Sequence, residues 1–308
     1  MDTKQVNAPQ GAEKAAPKAA AKAAPKAAPK AAKASKGFTG IKQGIYVILA
    51  CAVLAVCIYL FVFGHLSNFQ GGDKVAGTFS VFAPSDVELS PANLIGTVYK
   101  GGFVVPIIWT LLFSVIAFAI ERFFAIRTAY GKEALPKFVE QVKAALSKGD
   151  MAKAQQICDK QQGSVANVVR STLNKYEEMD KNDKLTKEQK LLAIRQELEE
   201  ATALEMPMLQ ENMPIVGTIV SLGTLTGLLG TVLGMIRSFG AMNAGEGGAD
   251  SAALATGISE ALVNTASGIA TGAVATIAYN YFTNKIDRLT FSLDEVGFSI
   301  VETFNATH

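Results

Sequence analysis

MPIVGTIVSLGTLTGLLGTVLGMI, from Met213 to Ile236, and TGISEALVNTASGIATGAVATIAYNYF, from Thr256 to Phe282, are two long apolar runs separated by a glycine-rich stretch. A bilayer core about 30 Å thick takes roughly 20 apolar residues of helix, so both runs are long enough to span it. Inside lipid the backbone must satisfy itself, which makes helix the required conformation and lets many glycines survive within it. Gly223/Gly227 and Gly230/Gly234 are GxxxG pairs, whose missing side chains let neighbouring helices approach closely. Helix packing is therefore the reading of these four glycines.

The polar residues of the two runs form stripes. Thr224 and Thr231 are one heptad apart and fall within roughly 20° of each other on an ideal helix, which predicts a hydroxyl-lined seam. In the second run Thr256, Glu260, Asn264, Ser267 and Thr271 stay within roughly 40° of Glu260, too long a polar stripe to face lipid. A hydroxyl can bond its own helix's carbonyls, so each Thr or Ser has a structural reading. Glu260 has none of that kind. A carboxylate at mid-span costs about 2.5 kcal/mol or more and usually faces a bundle interior or a water-filled path. Its place near a helix N-terminus favours the anion. The competing reading is an interfacial acid that only sets depth.

GLLGTVLGMIRSF (Gly227 to Phe239), ISEAL-x-x-T (Ile258 to Thr265) and the closing Ala278-Tyr-Asn-Tyr, in that order and spacing, resemble the paired core helices of the MotA/TolQ/ExbB proton-channel family, with the ExbB/TolQ branch nearer. The resemblance covers roughly residues 95–290. It implies a homo-oligomer, a pentamer, around single-span ExbD/TolR-like subunits, with proton flow driving a TonB-like periplasm-spanning protein. It also implies a lumen carrying Thr231, Glu260 and Thr265 close to an aspartate of the partner. On a straight helix Thr265 lies roughly 140° from Glu260, so the two must serve different faces or the helix must deviate. Close relatives often carry proline at the position of Val274, so a kink in the last helix is in question here.

The rest of the chain fits an all-α integral membrane protein with four transmembrane helices and long helices extending into a cytoplasmic helical domain. Its 308 residues are 49% hydrophobic, too apolar for an ordinary soluble domain, and the net charge of +2 conceals strong segregation. Residues 1–40, with repeats such as KAAPKAAPKAAK, read as a disordered cytoplasmic tail suited to anionic lipid rather than nucleic acid. An additional transmembrane helix is expected at 41–64, too long for a signal-peptide core and without a cleavage site. A lysine-poor periplasmic segment at 65–102 precedes the second span, 103–126, whose far end carries Glu121 and Arg122, a pair suited to the head-group region.

Residues 127–206 form the expected cytoplasmic helical domain, with Leu135, Phe138, Val139, Val142 and Leu146 at helical spacing and Leu191, Ile194, Leu198 and Leu204 in a looser stripe. The helix before Pro207 can run on into the third span, 207–237. A periplasmic loop at 238–255 follows, with Asp250 or Ser251 as N-cap, then the fourth span, 256–283, and a C-terminal helix, 284–308, that continues it. The distribution of Lys and Arg places both termini in the cytoplasm of an inner-membrane protein. Cys51, Cys57 and Cys158 have no disulfide or metal-ligand spacing, and neither His65 nor His308 has ligand company, so no metal or cofactor is expected. No P-loop, zinc-binding helix, nucleophile elbow or dinucleotide fingerprint is present, which argues against an enzyme. Within the family a TolQ-type envelope role or a motility stator stays open; outside it, a membrane scaffold does.

Overall fold

The computed structural model describes residues 43–70, 90–244 and 251–308. The lysine-rich tail, the middle half of the 65–102 segment and the Asp250 cap lie outside them. The elements are α1 (Gly44–Cys57), continued by a π-helical segment (Ile58–Phe63), α2 (Leu94–Lys100), α3 (Val104–Tyr130), α4 (Leu135–Leu146), α5 (Met151–Gln161), α6 (Gly163–Asp180), α7 (Lys187–Gln210), α8 (Met213–Ala244) and α9 (Ser251–Thr307). Among the described residues there is no sheet, only one isolated bridge between Phe69 and Pro91. Four helices are long and apolar enough to cross a membrane. The chain is an all-α multi-pass membrane protein.

The expected loop at 238–255 is shorter than its glycines suggest, because α8 runs on to Ala244 and Ser251 is already the first residue of α9. α9 is one helix of 57 residues, so the fourth span and the C-terminal helix are a single element. Val274 stands in its length without a break, as expected where no proline removes a backbone donor.

Two apolar cores hold the fold. α4, α6, α7 and the far half of α9 pack around Phe138, Leu146, Val169, Leu173, Ile194 and Phe304, all at most 1% exposed. A smaller core of Val115, Ile219 and Ala275 joins α3, α8 and α9 within the membrane part. α7 opens on a capping box in which Thr186 accepts from the Gln189 amide and Gln189 returns a bond to the Thr186 amide, worth about 1 kcal/mol.

The passage from α7 into the membrane does not follow the expectation of a continuous helix. Pro207 lies inside α7, and the break comes later, at Glu211 and Asn212, where Asn212 takes φ 63°. Asparagine tolerates this left-handed conformation better than most residues. Arg122 fills the gap: its guanidinium donates to the carbonyls of Met208 at 3.0 Å and Leu209 at 3.3 Å and pairs with Glu121. Glu121 also accepts from Asn212 Nδ2 at 3.3 Å. This corrects the reading of the acid-arginine pair as a head-group anchor. Arg122 is 0% exposed and Glu121 5%, because the orphan carbonyls at the end of α7 need a donor where water is excluded.

Cys158 is buried in the helical domain, and desolvation pushes its thiol from 9.0 up to about 12. Burial of the neutral thiol therefore contributes stability that is fully present below pH 9 and is lost as pH rises towards 12. The expected result is that maleimide fails to label Cys158 in the folded chain at pH 8 and labels it fully in denaturant, as mass spectrometry of the tryptic peptide would report. Labelling at equal rates would mean that this part of the domain opens readily.

Candidate functional site

α8 and α9 lie antiparallel, backbone against backbone, and glycine makes this distance attainable. A Cβ added to Gly227 would lie 2.9 Å from Gly268 Cα and 3.0 Å from Asn264 O, and one on Gly223 would lie 3.1 Å from the Gly272 amide nitrogen. Further along, Gly230 faces Asn264 and Gly234 faces Ala261, each with 2.7 Å to the nearest atom of that partner. The facing surface of α9 carries its own GxxxG pair, Gly268 and Gly272, which the reading of the sequence passed over although the spacing was there to find.

This close seam brings Thr231 and Thr265 together, hydroxyl to hydroxyl. Both also reach the Gly227 carbonyl at 3.3 Å, an acceptor left approachable because Gly227 has no side chain. Both threonines are half-buried, and Thr231 opens onto a shallow apolar groove of α8 with Leu228, Val232, Met235, Ile236 and Phe239. Thr224 is exposed one heptad away, its Oγ1 2.7 Å from where a Cβ on Gly272 would stand.

The polar stripe of α9 does not stay on one open surface. Asn264 is 3% exposed and donates through Nδ2 to the Gly101 carbonyl at 3.0 Å, and Thr271 is 1% exposed and bonds its own helix at Ser267 O, 2.9 Å away. Ser267 is half-buried. Within this chain the α2–α3 turn and α8 cover Asn264 and Thr271. A polar stripe is driven away from lipid equally well by burial against another helix as by water.

Glu260 is half-buried on a different face from Thr265. Arg237 stands over the Phe103 ring at 6.0 Å. The angular conflict between Glu260 and Thr265 thus has a plain resolution in a helix without a kink: Thr265 belongs to the α8 seam and Glu260 to the charged end of the bundle. Among the described residues no three His, Cys, Asp or Glu side chains come together as a metal site.

The MotA/TolQ/ExbB proton channel family matches residues 160–295, which take in α6, α7, α8 and most of α9. Over this region the chain is similar to that family. Similar curated proteins include the ExbB-like 3 biopolymer transport protein of Synechocystis, 44% identical over 28% of this chain and 41% of the relative. The ExbB homologue of Methanothermobacter thermautotrophicus is 25% identical over 63% of this chain and 66% of its own length. TolQ of the Tol-Pal system of Pseudomonas aeruginosa is 36% identical over 29% and 38%. The chain thus spans less than half of two of these relatives and about two thirds of the third. The threonine pair, Glu260 and all three glycine pairs lie inside the matched region, whereas α1, its π-helical continuation and α2 lie outside it.

Proposed function

We propose that the chain is an ExbB-like subunit of an inner-membrane motor that converts proton-motive force into work on TonB-dependent outer-membrane transport. In this reading both termini are cytoplasmic, five copies surround single-span ExbD/TolR-like subunits, and a TonB-like protein receives the work. The Thr231–Thr265 pair carries the reading. Two hydroxyls that each donate and accept can pass a proton or hold a water, but neither titrates near neutral pH, so the pair serves a path whose titrating carboxyl comes from a partner. The apolar groove beside Thr231 has the character of a surface on which a single apolar helix lies. Glu260, one turn of α9 before Asn264, sets the field at the end of that path.

The test is complementation of a deletion strain. Thr231→Ala is expected to lower haem-iron uptake by about tenfold or more while the chain still assembles, and Glu260→Gln is expected to act in the same direction. A membrane scaffold would keep full activity with both substitutions. The likeness to a TolQ favours one second reading, envelope maintenance: normal growth on haem with detergent sensitivity in the deletion strain would select it.

A further inference from the structure

The stretch from Tyr99 to Phe103 takes in the end of α2 and the three-residue link to α3, and three separate elements hold it. From the π-helical segment after α1, the Tyr59 hydroxyl donates to the Tyr99 carbonyl at 2.8 Å and the two rings stack with centroids 4.7 Å apart. From α9, Asn264 donates to the Gly101 carbonyl. From α8, Arg237 lies over Phe103 and brings Nη1 within 3.0 Å of where a Cβ on Gly102 would stand.

The π-helical segment is itself built to hold this position. Asn68 folds back to donate to the carbonyls of Val62 at 2.8 Å and Phe63 at 3.2 Å, at the end of the wider helix, and Asn93, the N-cap of α2, donates to Asn68 at 3.0 Å. Phe69 closes the edge of the Tyr99 ring at 5.7 Å. A π-helix is a rare conformation that changes the direction of the side chains beyond it, and here it coincides with the one hydroxyl that reaches α2. At the centre of this clamp stands Lys100, half-buried and one residue from each of the two clamped carbonyls; Asn264, which bonds Gly101, lies one turn of α9 from Glu260, so the clamp sets Lys100 at the Glu260 end of that helix.

We propose that the additional N-terminal helix is a strut for the ion path: Tyr59, working with Asn264, fixes the Tyr99–Gly101 turn and so holds the Lys100 ammonium in the field of Glu260. Tyr59 and Asn264 are positioning residues, and Lys100 is the charge they position. This rests on Glu260 lying on the path, as argued above.

The test uses the full chain in its native complex, in inverted membrane vesicles, with dye-reported proton flux expressed per assembled complex. Lys100→Gln is expected to change the flux about three- to tenfold, Tyr59→Phe to change it in the same direction, and the double variant to match Lys100→Gln alone. An unchanged flux with Tyr59→Phe, or effects that multiply in the double variant, would overturn the strut. If Glu260→Gln leaves the flux unaltered, the proposed function itself fails. A second measurement is independent of flux. With the three native cysteines replaced by serine, Lys100→Cys is labelled by a membrane-impermeant maleimide, and adding Tyr59→Phe should speed labelling several-fold. An unaltered rate would mean that the turn holds its place without the strut.

Discussion

Arg122→Gln is expected to destabilise the folded chain by about 3–5 kcal/mol. The wild-type guanidinium is fully buried and performs two tasks at once. It neutralises Glu121, to which Nε donates at 2.6 Å, and it supplies donors to two carbonyls at the end of α7. Glutamine removes the charge that compensates a buried carboxylate and cannot span the same set of acceptors. The junction between the helical domain and α8 would then lose the group that fixes its geometry. Thermal unfolding of the detergent-purified chain measures this, and a melting temperature within a degree or two of wild type would refute the cap. Arg122→Lys should fall between, because a single ammonium keeps the charge and lacks the planar fork that serves both partners.

Gly268→Ala is expected to cost less stability, about 1–3 kcal/mol from overpacking, yet to abolish function outright. The added methyl would lie 2.6 Å from both Gly223 O and Gly227 Cα, atoms of the opposing backbone that no rotamer change can move aside. α8 and α9 must separate to admit it, and Thr231 and Thr265 separate with them although neither is altered. Gly240→Ala supplies the comparison, since nothing lies within 4 Å of its added Cβ. It should leave melting and complementation unchanged. Equal behaviour of the two variants would show that close approach along the seam is dispensable.

Much of this was legible in the residues. The spans followed from apolar run length, and the packing role of Gly223, Gly227, Gly230 and Gly234 from their spacing, since both depend on local sequence alone. The partner surface at Gly268 and Gly272 was equally local. What could not be read were the features that depend on which element covers which. Asn264 and Thr271 look alike as a lumen stripe and as an internal seam, because both arrangements remove polar groups from lipid. Arg122 sits at the end of a span, where arginine ordinarily reaches head groups, and only the break at Asn212 reveals carbonyls that claim it. Tyr59 is an aromatic in an apolar run, indistinguishable from an interfacial anchor until the π-helical segment turns it towards Tyr99.

The unbroken course of α9 has a mechanical corollary. At about 1.5 Å per residue its 57 residues make a rod on the order of 85 Å long. Near one end it carries Glu260, and near the other its Tyr176 and Phe304 contacts tie it into the distal core. With no proline to act as a joint, such a rod transmits angle rather than absorbing it, so a tilt of about 5° about one end displaces the other by roughly 7 Å. A protonation event that shifts the bundle end by a fraction of a side chain would be reported, magnified, far from where it occurred.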